Sequence, residues 1–114
     1  MGQQAGRNAM KRSEADVLRS VRALLKARSL LHFRMNTGAM QNPRGQHVKF
    51  GYPGMADILC FPRGKVLWIE TKAPGKPLSK AQVEFCKLVV DEGHHYTRAQ
   101  SAFDVASWLS ENQT

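Results

Sequence analysis

Cysteine is scarce: the 114-residue chain has only Cys60 and Cys86. Cys60 lies in an apolar run and Cys86 on the apolar side of a predicted helix, so both read as buried free thiols in a reducing compartment. Four scattered histidines, His32, His47, His94 and His95, form no CxxC or HExxH spacing, which argues against a zinc centre. Long apolar stretches are missing as well. Nothing approaches the roughly 18 consecutive apolar residues of a membrane span. Met1 to Lys11 has no apolar run of the export type, and the expected location is cytoplasmic. Repeats, low-complexity tracts and linkers are also absent, and the length suits one compact domain. We read residues 1–12 as a basic N-terminal tail and residues 13–114 as that single domain.

Acidic residues are few, nine against seventeen Lys and Arg, for a net charge of +8. Residues 1–54 hold ten Lys and Arg against Glu14 and Asp16 alone, while the remaining residues hold seven of each sign. Such a one-sided excess is the electrostatic footprint of a polyanion partner. A basic tail that only aids solubility would give the same count.

Three serines are followed three residues later by an acid or an amide: Ser13 and Asp16, Ser79 and Gln82, Ser101 and Asp104. Each pair is a capping box or a close variant, and predicts a helix start. The first helix runs from about Glu14 to about Ser29 with Leu18, Val21 and Leu25 on one stripe. The second runs from Lys80 to about Glu92, with Phe85, Cys86 and Val89 inward and Lys80, Glu84, Lys87 and Asp91 outward. Gly93 ends it as a left-handed cap would. The third, Ala102 to about Ser110, buries Val105, Ala106 and Leu109. Strands are predicted at Leu31–Asn36, His47–Phe50, Ala56–Phe61, Lys65–Lys72 and His95–Arg98. Pro62, Arg63 and Gly64 make a tight antiparallel connection. The unbroken run Val66 to Ile69 suits a central strand covered on both faces. The order of elements implies an α/β sandwich, a mixed central sheet flanked by helices.

Glu70 and Lys72 stand two apart on the predicted central strand, so both side chains point to one face. A carboxylate at the end of an apolar strand is costly unless paired or bound to a metal; a salt bridge where the strand leaves the core would also account for it. Asp57 opens the preceding strand, and across a hairpin it can reach the same end as Glu70. Two carboxylates there repel each other unless a cation lies between them, and a hard divalent ion such as Mg²⁺ or Mn²⁺ would resolve the conflict. Taken alone, Asp57 could equally be a turn residue capping its own loop.

The series Gly54-Met55-Ala56-Asp57, then Glu70-Thr71-Lys72, then Ser79 to Gln82 and Gly93, resembles the VRR-NUC family of the PD-(D/E)XK nuclease superfamily over roughly residues 13 to 109. Two departures are Ala56, where the superfamily's name has proline, and Thr71, where an apolar residue is commoner. The resemblance implies a restriction-endonuclease-like fold and phosphodiester hydrolysis with Mg²⁺ or Mn²⁺. It also implies Asp57 and Glu70 as metal ligands, with Lys72 positioning the attacking water. Stand-alone members of the family are homodimers acting on branched DNA, which makes four-way (Holliday) junctions the expected substrate. A flap or general DNA nuclease, or a non-cleaving DNA-binding module, are the alternatives.

Four further assignments follow. Glu14 lies on the first helix's apolar stripe and matches a family glutamate that helps bind metal, although the helix dipole alone favours an acid there. The Thr71 backbone carbonyl completes the expected ligand set of Glu14, Asp57 and Glu70. Gln82 matches a family glutamine beside the active-site lysine, and is equally explained by its capping box. Arg34, Asn36, Arg44 and Lys49 flank the expected site and are candidates to hold DNA phosphates.

Overall fold

The computed structural model describes residues 12–35 and 38–113, with the backbone alone at 38–40, 49 and 50. Helix α1 spans Glu14–Ala27. Ser13 Oγ accepts the Asp16 N–H and the Asp16 carboxylate accepts the Ser13 N–H, both at 3.1 Å, so the capping box is complete. Helix α2, Lys80–Asp91, starts with the same device: Ser79 Oγ takes the Gln82 N–H at 3.2 Å and Gln82 Oε1 takes the Ser79 N–H at 2.8 Å. Helix α3 spans Ala102–Glu111. Its box is half formed, because Asp104 turns its carboxylate to the Gln100 N–H at 2.8 Å instead of to Ser101.

Six strands are present among the described residues: β1 His32–Arg34, β2 Gly38–Gln41, β3 His47–Phe50, β4 Ile58–Cys60, β5 Leu67–Thr71 and β6 His95–Ala99. Four form one sheet in the order β1-β4-β5-β6, with β5 and β6 parallel and the other pairs antiparallel. The parallel pair is joined through α2, as parallel strands require a long crossover. The turn between β4 and β5 is a single tight helical turn over Pro62–Gly64, with Arg63 in the left-handed region at φ 53°. The result is an α/β fold with a mixed four-stranded sheet and three helices. His47–Phe50 departs from expectation: it pairs with Gly38–Gln41 as a separate two-stranded arm and takes no part in the main sheet.

The sheet separates two apolar layers. On one face Ile58, Cys60, Leu67, Ile69 and Ala99 pack against Val17, Val21 and Leu25 of α1 and Val105 of α3, all fully buried. The stripe of α1 is thus i, i+4, i+8 from Val17, and Leu18 is half-buried at its margin. On the other face Trp68 and Tyr96 meet Phe85 and Val89 of α2 and the buried Ala56. The rings of Trp68 and Phe85 stand edge to face, with centroids 5.1 Å apart. Strand β5 is therefore covered on both sides, which is why its sequence is apolar without alternation. Among the described residues no helix is long and apolar enough to cross a membrane. Cys60 and Cys86 are free thiols, and burial pushes the Cys60 thiol up to about 11, so it stays protonated at neutral pH.

Candidate active site

Strand β5 ends at Thr71, and its antiparallel partner β4 begins at Ile58, opposite Ile69. Side chains alternate along a strand, and Ile69 faces α1 and α3, so Glu70 faces α2. Asp57 stands in the bend just before β4 and reaches the end of β5 with its side chain. Asp57 lies just outside β4, where the expectation had it inside, and its side chain takes over the ladder's work. Its Oδ2 accepts the Thr71 N–H at 2.8 Å and the Thr71 hydroxyl at 2.7 Å. Thr71 is buried, so the hydroxyl at this position anchors the first acid, a role the sequence reading did not assign to it.

Glu70 is 2% exposed. Its Oε2 accepts from Gln82 Nε2 at 3.3 Å, whereas Oε1 is buried with no hydrogen-bond partner among the described residues. Burial, then the neighbouring Asp57 carboxylate, push the Glu70 carboxyl up to about 9, with Lys72 partly opposing them. Gln82 fills both of its possible roles at once: Oε1 closes the capping box of α2 and Nε2 holds Glu70. The loop bearing Asp57 is pinned to the same helix turn. Gly54, at φ +79°, passes so close to α2 that a Cβ would overlap the Ala81 carbonyl and come within 2.8 Å of the Gln82 nitrogen.

Lys72 follows β5 and is mostly buried, with Nζ 3.9 Å from Glu14 Oε1. Glu14 does not face inward as expected: its side chain is 56% exposed. It pairs with Lys72 at the start of α1, and its charge still acts on Glu70, adding to the causes that raise that carboxyl. Among the described residues no three His, Cys, Asp or Glu side chains converge. The acid donors are the pair Asp57 and Glu70. Mg²⁺ takes one or two protein carboxylates and completes its shell with water and substrate oxygens, so this hard-oxygen pair fits such an ion.

The candidate phosphate contacts fall differently. Arg34 is exposed at the Asp57 end of β1, opposite Ile58, and its Nη1 donates to the Met35 carbonyl at 2.6 Å. The Met35 N–H in turn donates to the Asp57 carbonyl at 2.7 Å, so Arg34 is held next to the site. Lys49 lies in β3, described by its backbone alone, and Asn36 lies outside the described residues. Arg44 lies in the turn between β2 and β3, where its N–H donates to Asn42 Oδ1 at 2.9 Å. Tyr96 and Arg98 were not singled out, yet Arg98 stands opposite Glu70 in the parallel ladder. The Tyr96 hydroxyl and Arg98 Nε are buried without hydrogen-bond partners among the described residues. Burial and the Glu70 charge raise the Tyr96 phenol. Their positions, two apart on the strand beside Glu70, were the available signal.

No protein-family model matches the chain. A stretch of 44 residues is 39% identical to interleukin-6 receptor subunit beta of Rattus norvegicus, covering 39% of this chain and 5% of that protein. So short a match shows no family.

The raised Glu70 carboxyl has a testable consequence for stability. The folded state binds this proton more tightly than the unfolded chain, whose carboxyl titrates near 4.5. Its contribution is therefore fully present below about pH 4.5 and lost as pH rises through about 9. In EDTA the melting temperature should fall between pH 5 and pH 9, and Glu70→Gln should flatten that fall. An unchanged slope in the variant would assign the pH dependence to other groups.

Proposed function

We propose that the chain is a metal-dependent DNA nuclease of the VRR-NUC type, with the restriction-endonuclease-like version of its α/β fold. The reading rests on one observation: a buried Glu70, one oxygen of which has no hydrogen-bond donor among the described residues, set against Asp57 at the end of the central strand. Two buried acids set side by side either share a proton, which the raised Glu70 carboxyl allows, or bind a cation between them, and the nuclease reading takes the second course.

Asp57 and Glu70 would hold the ion, with Thr71 fixing Asp57 and Gln82 fixing Glu70. Bound there, Mg²⁺ or Mn²⁺ supplies Lewis acidity toward the phosphodiester and a more acidic water. Lys72, mostly buried and held near Glu14, places its ammonium where charge develops on the phosphoryl oxygens and can orient the attacking water. Glu14 keeps that ammonium in place and is not needed as a ligand. Arg34 and Lys49 hold flanking phosphates.

Four-way junctions are the proposed substrate, and a homodimer the proposed assembly. A junction is resolved by symmetric cuts in two strands, and a chain with one site supplies these only as a twofold pair. Tyr52 and Leu88 are half exposed and line one apolar groove, so they are candidates for that interface. The test is a panel of duplex, flap, splayed and four-way DNA with Mg²⁺, Mn²⁺ or EDTA, run beside light scattering on a sizing column. Cutting that needs metal and favours the junction, by a dimer, is expected. A monomer that prefers single flaps would replace the junction reading. Binding without cutting in either metal would leave a DNA-binding module.

A further inference from the structure

A groove of about 390 Å³ lies between α1 and β1, the edge strand of the sheet. Its apolar lining includes Leu18, and its charged rim is Arg19, Arg22 and Lys26 of α1 with His32 of β1. The three cations follow i, i+3, i+7 and so form one line along the helix. Arg19 bonds Asp16 at 3.0 Å on the surface. That carboxylate also takes the Ser13 N–H. Among the described residues neither Arg22 nor Lys26 meets a carboxylate. The ring of His32 is fixed at the rim, because its Nδ1 donates to the Leu30 carbonyl at 2.8 Å.

A single small anion calls for donors that converge on a point, and these do not. With a rise of about 1.5 Å per residue, Arg19 to Lys26 spans roughly 10 Å. Each strand of duplex DNA carries one charge per nucleotide, and a line of this length is long enough to meet more than one successive phosphate of a single strand. The groove also has a direction. The N-terminus of α1 carries Glu14, which touches the active-site Lys72. Arg19 begins roughly 7 Å further along the helix and Lys26 ends roughly 18 Å along it.

We infer that the groove between α1 and β1 carries the phosphate backbone of a DNA arm leading away from the cleavage site. The inference rests on the nuclease reading for that cleavage site. The groove sets how much DNA the protein must hold before it cuts, and takes no part in the chemistry.

The experiment uses the full chain with Arg22→Ala and Lys26→Ala combined; both residues are exposed and outside the core. Binding of a fluorescent duplex in EDTA is measured across salt concentrations. Two lost phosphate contacts should lower the slope of log K against log salt by about 1.8 and weaken binding on the order of tenfold. Cleavage of bis(p-nitrophenyl) phosphate with Mn²⁺, a diester too small to reach the groove, should stay at the wild-type rate. The charge-preserving pair Arg22→Lys and Lys26→Arg should restore the slope. An unchanged slope and affinity would overturn the inference, as would displacement of the DNA by an equal concentration of poly-glutamate. A protein that binds with the expected slopes but cuts nothing keeps the groove and loses the nuclease reading. One that cuts but shows no slope change does the reverse.

Discussion

Asp57→Ala, Glu70→Ala and Lys72→Ala should each lower DNA cleavage by roughly a hundredfold or more, the scale on which loss of one preorganised charge at a reacting centre acts. DNA binding in EDTA should stay near wild type, because phosphate contacts come from elsewhere. The three variants should then diverge in stability. Removing Asp57 strands the buried N–H and hydroxyl of Thr71, which it now receives at 2.8 and 2.7 Å. An unsatisfied buried donor costs about 1 to 3 kcal/mol, so Asp57→Ala should melt early, and Asp57→Asn, which keeps an acceptor, should recover part of the loss while still failing to cut. Glu70→Gln mimics the protonated form that burial and Asp57 favour, so without metal it should melt near wild type at neutral pH. With Mg²⁺ or Mn²⁺ added, the wild type should gain stability and this variant should not. Any of the three alanine variants cutting at the wild-type rate under saturating metal would show that the site lies elsewhere.

What the sequence made legible follows from how local each signal was. Helix starts were readable because a capping box lies within four residues, and two of the three formed in full. The third was half right because Asp104 had a competing backbone donor at Gln100, which no local pattern reveals. Strand β5 and its hairpin partner were readable from an apolar run closed by Pro62, Arg63 and Gly64. The β2–β3 arm was not. Gly38–Gln41 has neither alternation nor branched residues, and becomes a strand through its pairing with His47–Phe50. The turn between them was visible only in retrospect: Asn42 Oδ1 accepts the N–H groups of Arg44 and Gln46. At the site, Asp57, Glu70 and Lys72 were readable from strand periodicity, and the structure brings them to one end of the sheet. Tyr96 and Arg98 join that face through a parallel ladder reached by a crossover, a pairing that short-range pattern cannot supply. Glu14 is more exposed than its place on the stripe suggested, because helical periodicity says which side a residue faces and not how much of the chain covers it there.

Gly54→Ala should be among the most damaging single substitutions in the chain, although it adds one methyl group to a loop outside the core clusters. Two costs coincide at this position. Its φ of +79° is left-handed, worth about 1 to 2 kcal/mol for any residue with a Cβ. The added carbon would also overlap the Ala81 carbonyl and lie 2.8 Å from the Gln82 nitrogen. These are backbone atoms of a capped helix turn, so the loop must retreat, at a further 1 to 3 kcal/mol or so for overpacking. Gly45 separates the two costs, since it has nearly the same φ, +77°, and nothing within 4 Å of an added Cβ. Gly45→Ala should therefore show the backbone cost alone, a drop of several degrees in melting temperature, and Gly54→Ala a drop of roughly 10 °C or more. The consequence for the site is separate from unfolding. Gly54 is three residues before Asp57, and the turn it touches carries Gln82, which holds Glu70 at 3.3 Å. Pushing loop and helix apart moves the two acids relative to each other, so cleavage by Gly54→Ala should fall even at temperatures where circular dichroism shows it folded, whereas Gly45→Ala should cut normally. Equal melting temperatures for the two variants would mean that the loop can retreat from α2 at no cost. The close approach of Gly54 would then have no part in setting the geometry of Asp57 and Glu70.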